Sequence, residues 1–160
     1  MRALTLGLLI ASIGSASHAE MPMRPYLSLD AAQAGTQACL DWAAGEDLRV
    51  AVAVMDRGGR LVSFARMDDV FVKQVEFAQI KAETASTTPA STKRIGEIAV
   101  PGSPVEGLVY LSGVTGVEGG VPIRVGEHAI GGIGVSGATP AQDGTCAAIA
   151  VDAVIEALGR

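Results

Sequence analysis

The sequence is poor in the residues that most often build cofactor and metal sites. Its 160 residues include two histidines, two cysteines, three Phe, two Tyr and one Trp. It has no CxxC pair, no cysteine–histidine spacing typical of zinc, no phosphate loop and no dinucleotide fingerprint. The small number of aromatic residues also disfavours an aromatic-lined pocket. These absences leave no metal site to predict and exclude the motif-defined nucleotide enzymes.

Positive charge and long apolar runs are scarce as well. Twelve Lys and Arg residues stand against 17 Asp and Glu residues, which gives a formal net charge of −5. An acidic chain without a basic stripe is not expected to bind nucleic acid or an anionic membrane. No segment is long and apolar enough to predict a membrane span.

The first 19 residues are typical of a secretory signal peptide. Arg2 supplies the positive start, residues 3–13 form a short apolar run, and residues 17–19 (Ser-His-Ala) resemble a cleavage site. The alternative, a buried first helix, fits this order less well. Because residues 1–19 contain Arg2 and no acid, their removal changes the charge from −5 to −6. We therefore expect residues 20–160 to form one exported domain, periplasmic or secreted.

The order of apolar and turn segments predicts an α+β fold, in which helices pack on an antiparallel sheet. Residues 128–136 are apolar on both sides of the pleat, which predicts a central strand. Thr139, Pro140 and Gln142 predict a capped helix start. Helices are expected at residues 29–44, 71–87, 91–98 and 139–158, and strands at residues 50–55, 60–66, 108–117, 121–125 and 128–136.

Glycines interrupt the predicted central strand at Gly131, Gly132 and Gly134. Glycine weakens a strand unless something must approach the backbone closely. A packed helix, another subunit or a ligand would each explain them, and the sequence leaves these alternatives open.

Several motifs in a fixed order resemble the GlcG/HbpS-like family, the so-called haem-degrading domain family. The resemblance runs from about Leu27 to about Leu158. The motifs are Leu-Ser-Leu-Asp-Ala-Ala at 27–32, Val-Ala-Val-Ala-Val-Met-Asp at 50–56, Gly-Gly at 58–59, Phe-Ala-Arg-Met-Asp at 64–68, Lys-Ala-Glu-Thr-Ala at 81–85, Gly-Gly-Val-Pro-Ile at 119–123, Gly-Ile-Gly-Val-Ser-Gly at 132–137 and Thr-Pro-Ala-Gln-Asp at 139–143. The resemblance implies a profilin-like or PAS-like antiparallel sheet flanked by helices. It also implies a homo-oligomer that binds haem or a small anionic ligand.

Lys81 and Thr84 match the family's Lys-Ala-x-Thr pattern on the predicted helix of residues 71–87. A partly buried lysine there could hold a carboxylate or a haem propionate, or act as a catalytic base. The alternative is a solvated helix lysine paired with Glu83 or Glu76.

Arg66 and Met67 end the second predicted strand. Arg66 could clamp an anion with two hydrogen bonds, and Met67 could pack on haem or ligate it weakly. The alternative for Arg66 is an ordinary surface pair with an aspartate. After Asp68 the chain has Asp69-Val70 where the family commonly has Gly-Ala, so the loop beside the expected pocket differs.

Three further residues are candidates for holding the cofactor. Gly120 and Pro122 belong to a turn that could present backbone N–H groups to an anion, or could simply lead into a strand. His128 could ligate haem iron or transfer protons near neutral pH, or be an exposed turn residue. It would be the one histidine of the processed chain.

Cys39 and Cys146 fall on the first and last predicted helices. In an oxidising compartment they would form a disulfide if their Cα atoms came within about 7 Å. Otherwise they are two buried thiols that act as small apolar residues. The sequence does not decide between the two.

Three functions compete on these observations. The first is an exported haem- or small-ligand-binding protein. The second is an isomerase or lyase, with Lys81 as base or anchor and Arg66 or Arg124 holding a substrate carboxylate. The third is a non-catalytic accessory subunit of an exported oxidoreductase.

Overall fold

The computed structural model describes residues 23–159, so the predicted signal peptide lies outside the described residues. Four helices and four strands confirm the expected α+β class. The sheet is antiparallel throughout, in the order β2-β1-β4-β3. The elements are α1 (Leu29–Gly45), β1 (Ala51–Asp56), β2 (Leu61–Arg66), α2 (Val72–Thr87), α3 (Thr92–Ile98), β3 (Gly120–Val125), β4 (His128–Ser136) and α4 (Pro140–Leu158). None of the helices within residues 23–159 has both the length and the apolar character of a membrane span.

The two faces of the sheet are covered by different helices. Helices α1 and α4 pack against each other and on one face, while α2 covers the other. The alternating side chains of β1 follow this division. Val52 and Val54 join the core under α1 and α4, whereas Ala51 and Ala53 join the core under α2. Because both faces of the middle strands are buried, these strands read as continuous apolar runs.

Side-chain caps fix the starts of α1 and α4, and the cap of α4 was predicted from the sequence. The Ser28 hydroxyl accepts a hydrogen bond from the Ala31 N–H at the start of α1. At the start of α4, Thr139 and Gln142 form a reciprocal capping box, and Pro140 occupies the first helical position. These bonds satisfy N–H groups that have no partner within the helix.

The glycines of β4 allow α2 to lie directly on the sheet. A Cβ atom at Gly134 would fall on the backbone of Ala78 and Ala82, and one at Gly132 would fall 2.6 Å from the Ala85 carbonyl carbon. Close helix packing therefore explains these two glycines. The prediction that residues 128–136 form a central strand is confirmed, since β4 pairs with both β1 and β3.

The strand predicted at residues 108–117 is wrong. A 3₁₀ turn occupies Glu106–Tyr110, and Gly113 adopts φ +75°, which lies outside the extended backbone region of a regular strand. The Thr84 hydroxyl shares its proton between the Ile80 carbonyl at 2.8 Å and the Gly113 carbonyl at 3.0 Å, and it accepts the Thr115 N–H at 3.0 Å. The segment therefore takes its hydrogen bonds from its own turns (Leu111 N–H to the Leu108 carbonyl and Val114 N–H to the Leu111 carbonyl) and from a side chain of α2 instead of a neighbouring strand.

A disulfide joins Cys39 of α1 to Cys146 of α4, with their Cα atoms 5.0 Å apart. The alternative of two buried thiols is thereby excluded. The bridge links the two helices that share one face of the sheet across 107 positions of sequence.

Candidate functional site

A buried ion pair lies where α2, β4 and the start of α4 meet. Lys81 Nζ donates to Asp143 Oδ2 at 2.8 Å and to the Val135 carbonyl oxygen at 2.8 Å. The two side chains are 2% and 3% exposed. The predicted alternative of a solvated lysine paired with Glu76 or Glu83 is therefore wrong.

The Asp143 carboxylate is held from both sides. Its Oδ1 accepts the Ala138 N–H at 3.0 Å, while Oδ2 accepts Lys81. Burial raises the pKa of the Asp143 carboxyl above its usual range, and it outweighs the opposing effects of Lys81 and of the backbone N–H groups of Ala138 and Gly137. The Asp143 carboxylate and the Val135 carbonyl together fix the position of the Lys81 ammonium.

Two consecutive glycines bring the entry of β3 against this ion pair. Gly119 has φ +128°, and a Cβ atom there would lie 2.6 Å from Lys81 Nζ. The Gly120 N–H donates to the Thr92 hydroxyl at 2.8 Å. The turn that was predicted to offer N–H groups to an anion therefore uses the Gly120 N–H within the protein.

A small pocket of about 150 Å³ opens beside the ion pair. Phe77 and Val117 supply apolar walls, and Gln74 and Ser136 supply polar groups. Pockets for drug-sized ligands usually measure roughly 300–1,000 Å³. This pocket, which we call the Lys81 pocket, has room for a few water molecules or a small carboxylate.

Other predicted residues lie around this region without entering the pocket. Thr84 holds the loop after α3, as described above, and Pro122 is half-buried in β3 opposite Gly132. Met67 packs against both apolar cores, and its sulfur accepts the Val50 N–H at 3.5 Å. The Met67 thioether is therefore part of the interior packing.

Arg66 and His128 are exposed and far from each other. The Arg66 guanidinium forms no ion pair within the described chain, so the alternative of an Arg–Asp surface pair is not observed there. His128 begins β4 at the turn from Val125. Seven residues at about 3.3 Å each place it roughly 23 Å from Val135, at the other end of the strand.

The structure therefore brings Lys81, Thr84 and Gly120 together and leaves His128 at the opposite end of β4. Arg66 lies on β2, in register with Ser136 and two strands away from it. Sequence reasoning missed the role of Asp143, although this residue is the last of the quoted Thr-Pro-Ala-Gln-Asp motif. A buried lysine requires an acidic partner, and that requirement was the available signal.

An antiparallel sheet with one helix on one face, two disulfide-linked helices on the other and an internal Lys–Asp pair defines a small α+β domain. Residues 27–152 match the model of the family described as "Haem degrading protein HbpS-like". The chain belongs to this HbpS-like family.

Named relatives support this membership at the level of sequence and fold. The chain is 36% identical to Protein GlcG of Escherichia coli K12 over 72% of this chain and 85% of GlcG. It resembles a solved PduOC:heme complex with a TM-score of 0.76 and 28% identity, covering 81% of this chain and 95% of the other. A double mutant of Streptomyces reticuli HbpS gives a TM-score of 0.77 and 26% identity, covering 89% and 97%.

Proposed function

We propose that this chain is an exported protein that binds haem or a closely related anionic ligand. The observation that carries the proposal is the similarity to PduOC, a relative solved in complex with heme, over most of both chains. The family description, which refers to haem degradation, points to the same ligand class.

The Lys81 pocket does not fit a tetrapyrrole. Its volume of about 150 Å³ is half the lower limit for drug-sized ligands. The Lys81 ammonium already donates hydrogen bonds to Asp143 and to the Val135 carbonyl, and the buried Asp143 carboxylate would repel a propionate. No step of haem binding is therefore assigned to this pocket.

Export is supported by two independent features. One is the signal-peptide pattern of residues 1–19. The other is the Cys39–Cys146 bridge, because stable disulfides form mainly in oxidising compartments. Expression of the full chain in a bacterium should yield a periplasmic protein whose first residue is Glu20. N-terminal sequencing of that protein tests the proposal, and an intact N-terminus in the cytoplasm would contradict it.

Haem binding is tested by titrating the purified protein with haemin. The expected result is a Soret shift that saturates at one equivalent per chain. A broad absorbance change that never saturates would reject haem binding for this protein.

The alternative of an isomerase or lyase receives less support from the structure. A general base must have a lone pair within reach of the substrate. Lys81 is 2% exposed and donates to two protein acceptors. The role of Lys81 as a base nevertheless stays a prediction, as does the alternative of an accessory subunit.

A further inference from the structure

A larger pocket lies at the opposite end of the sheet from the Lys81 pocket. It has a volume of about 330 Å³ and is bounded by the segment before α1 and by the turn between β1 and β2. Ile130 in its floor is five residues from Val135, which corresponds to roughly 16 Å along β4. We call it the Tyr26 pocket, after the aromatic residue that borders it.

The floor and one wall of the Tyr26 pocket are apolar. Leu27 and Ile130 are buried members of the core, and half-buried Val62 packs against it. Tyr26 also lines the pocket and is 75% exposed. The surface therefore offers aliphatic contact below and an aromatic face beside a flat ligand.

Two arginines border the same pocket. The guanidinium groups of Arg24 and Arg57 make no hydrogen bond or ion pair within residues 23–159. Asp56 also lines the pocket, but its Oδ1 accepts the N–H groups of Gly58 and Arg60 at 2.8 and 3.0 Å. With one carboxylate against two guanidinium groups, the charged lining carries a net +1 on a chain whose formal charge is −5.

The geometry points to the Tyr26 pocket as the binding site for a flat, amphipathic carboxylate of the tetrapyrrole class. The apolar body of the ligand would lie on Leu27, Val62 and Ile130, and its propionates would be held by Arg24 and Arg57. Guanidinium forks match carboxylates in geometry and charge. This inference rests on the proposed haem binding, and it assigns that function to residues outside those predicted from the sequence.

The Tyr26 pocket and the Lys81 pocket differ in volume and in whether their basic side chains are already paired. The Tyr26 pocket holds about 330 Å³ against about 150 Å³ for the Lys81 pocket, and it alone reaches the range of drug-sized ligands. The Lys81 ammonium is engaged by Asp143, whereas the two arginines of the Tyr26 pocket have no such acceptor in the described chain.

The first test removes the positive charge at the rim. The double variant Arg24→Gln/Arg57→Gln should bind haemin roughly tenfold to a hundredfold more weakly than wild type, since each lost charge-assisted bond is worth about a factor of ten. The matched control is Arg94→Gln, which removes an exposed arginine of α3 that pairs with Glu97. The control should bind haemin as wild type does.

A second ligand separates recognition of the carboxylates from other effects. Protoporphyrin dimethyl ester has no free propionate, so wild type and the double variant should bind it equally in a fluorescence titration. Unchanged haemin affinity in the double variant would overturn the assignment to this pocket, although haem binding would stand. Absence of saturable haemin binding by wild type would instead reject the proposed function.

Filling each pocket in turn gives an independent readout. Val62→Trp, which narrows the Tyr26 pocket, should weaken haemin binding at least tenfold. Val117→Trp, which occupies the Lys81 pocket, should leave it unchanged. Thermal unfolding of both variants checks that each is folded. The reverse pattern would assign the ligand to the Lys81 pocket and overturn the inference.

Discussion

Among single residues, Lys81 is expected to have the largest effect on stability. Lys81→Met leaves the Asp143 carboxylate buried without its counter-charge, and breaking a buried pair in this way costs about 3–5 kcal/mol. Urea denaturation measures the loss in free energy of unfolding. The matched control is Lys93→Met, because the exposed pair of Lys93 with Glu118 should contribute less than about 1 kcal/mol. Equal losses in both variants would show that burial of the Lys81 pair carries no special cost.

The raised pKa of Asp143 predicts that its contribution to the free energy of unfolding changes with pH in the opposite direction to that of most carboxylates. Between about pH 4 and the folded pKa, the folded state binds more protons than the unfolded state. The contribution of Asp143 to stability therefore falls as pH rises through that window and is constant above it. Urea denaturation of wild type and of Asp143→Asn at pH 4 and at pH 7 gives the free energy of unfolding of each. The value for wild type minus the value for the variant should be smaller at pH 7 than at pH 4. A difference that grows with pH would contradict the direction of the shift.

The residues of this pair illustrate what the sequence could and could not predict. The motif around Lys81 marked the right helix, because the family resemblance includes it. Its partner lies 62 positions away, and nothing in the local pattern connects the two. Met67 and Gly120 were predicted to hold a cofactor, which stays a prediction, but the Met67 sulfur and the Gly120 N–H already bond to the Val50 N–H and the Thr92 hydroxyl, which are distant in sequence.

At the level of elements, the contact of α2 with β4 depends on glycine. Gly134→Ala places a Cβ atom on the α2 backbone at Ala78 and Ala82, so the helix must move away from the sheet. Overpacking of this kind costs typically 1–3 kcal/mol, measured as a lower urea midpoint. Gly45→Ala is the control, since a Cβ atom there meets nothing within 4 Å. A Gly134 variant as stable as the control would exclude tight packing.

Elements with local signals were predictable, and elements defined by distant partners were not. The starts of α1 and α4 follow from Ser28 and Thr139, whose side chains cap the helices of their own segments. Residues 108–117 have apolar residues suited to a strand. Their backbone conformation is instead set by the positive φ of Gly113 and by the hydrogen bond from the Thr84 hydroxyl to the Gly113 carbonyl. That bond spans 29 positions, so the local pattern of apolar residues gives no sign of it.

For the whole molecule, the Cys39–Cys146 bridge is expected to contribute strongly to stability. It closes a loop across 107 positions, for which the chain-entropy model gives about 4–5 kcal/mol. The variant Cys39→Ala/Cys146→Ala, or wild type in reductant, should lose about this much free energy of unfolding in urea. Thiol titration of the denatured, unreduced protein should detect no free thiol, and two free thiols would contradict the bridge.

Self-association, which the family resemblance implies, stays a prediction. Several large apolar side chains are exposed on the α2 side of the molecule, including Phe64, Phe71 and Phe77. Light scattering coupled to size-exclusion chromatography measures the mass in solution. A mass equal to one chain at micromolar concentration would contradict the homo-oligomer.

The pairing of β1 with β4 also has a consequence for the order of assembly. In the middle of the sheet β1 pairs with β4, with Ala51 opposite Ser136. The first strand synthesised therefore cannot form this pairing until the last strand has been made. Until β4 emerges, the inner edge of the hairpin of β1 and β2 has no partner strand, while α1 and α2, which precede β4 in the chain, are available to the two faces of β1. High contact order of this kind slows folding. For the export proposed above, slow pairing of β1 with β4 would leave the chain unfolded for longer before it reaches the membrane.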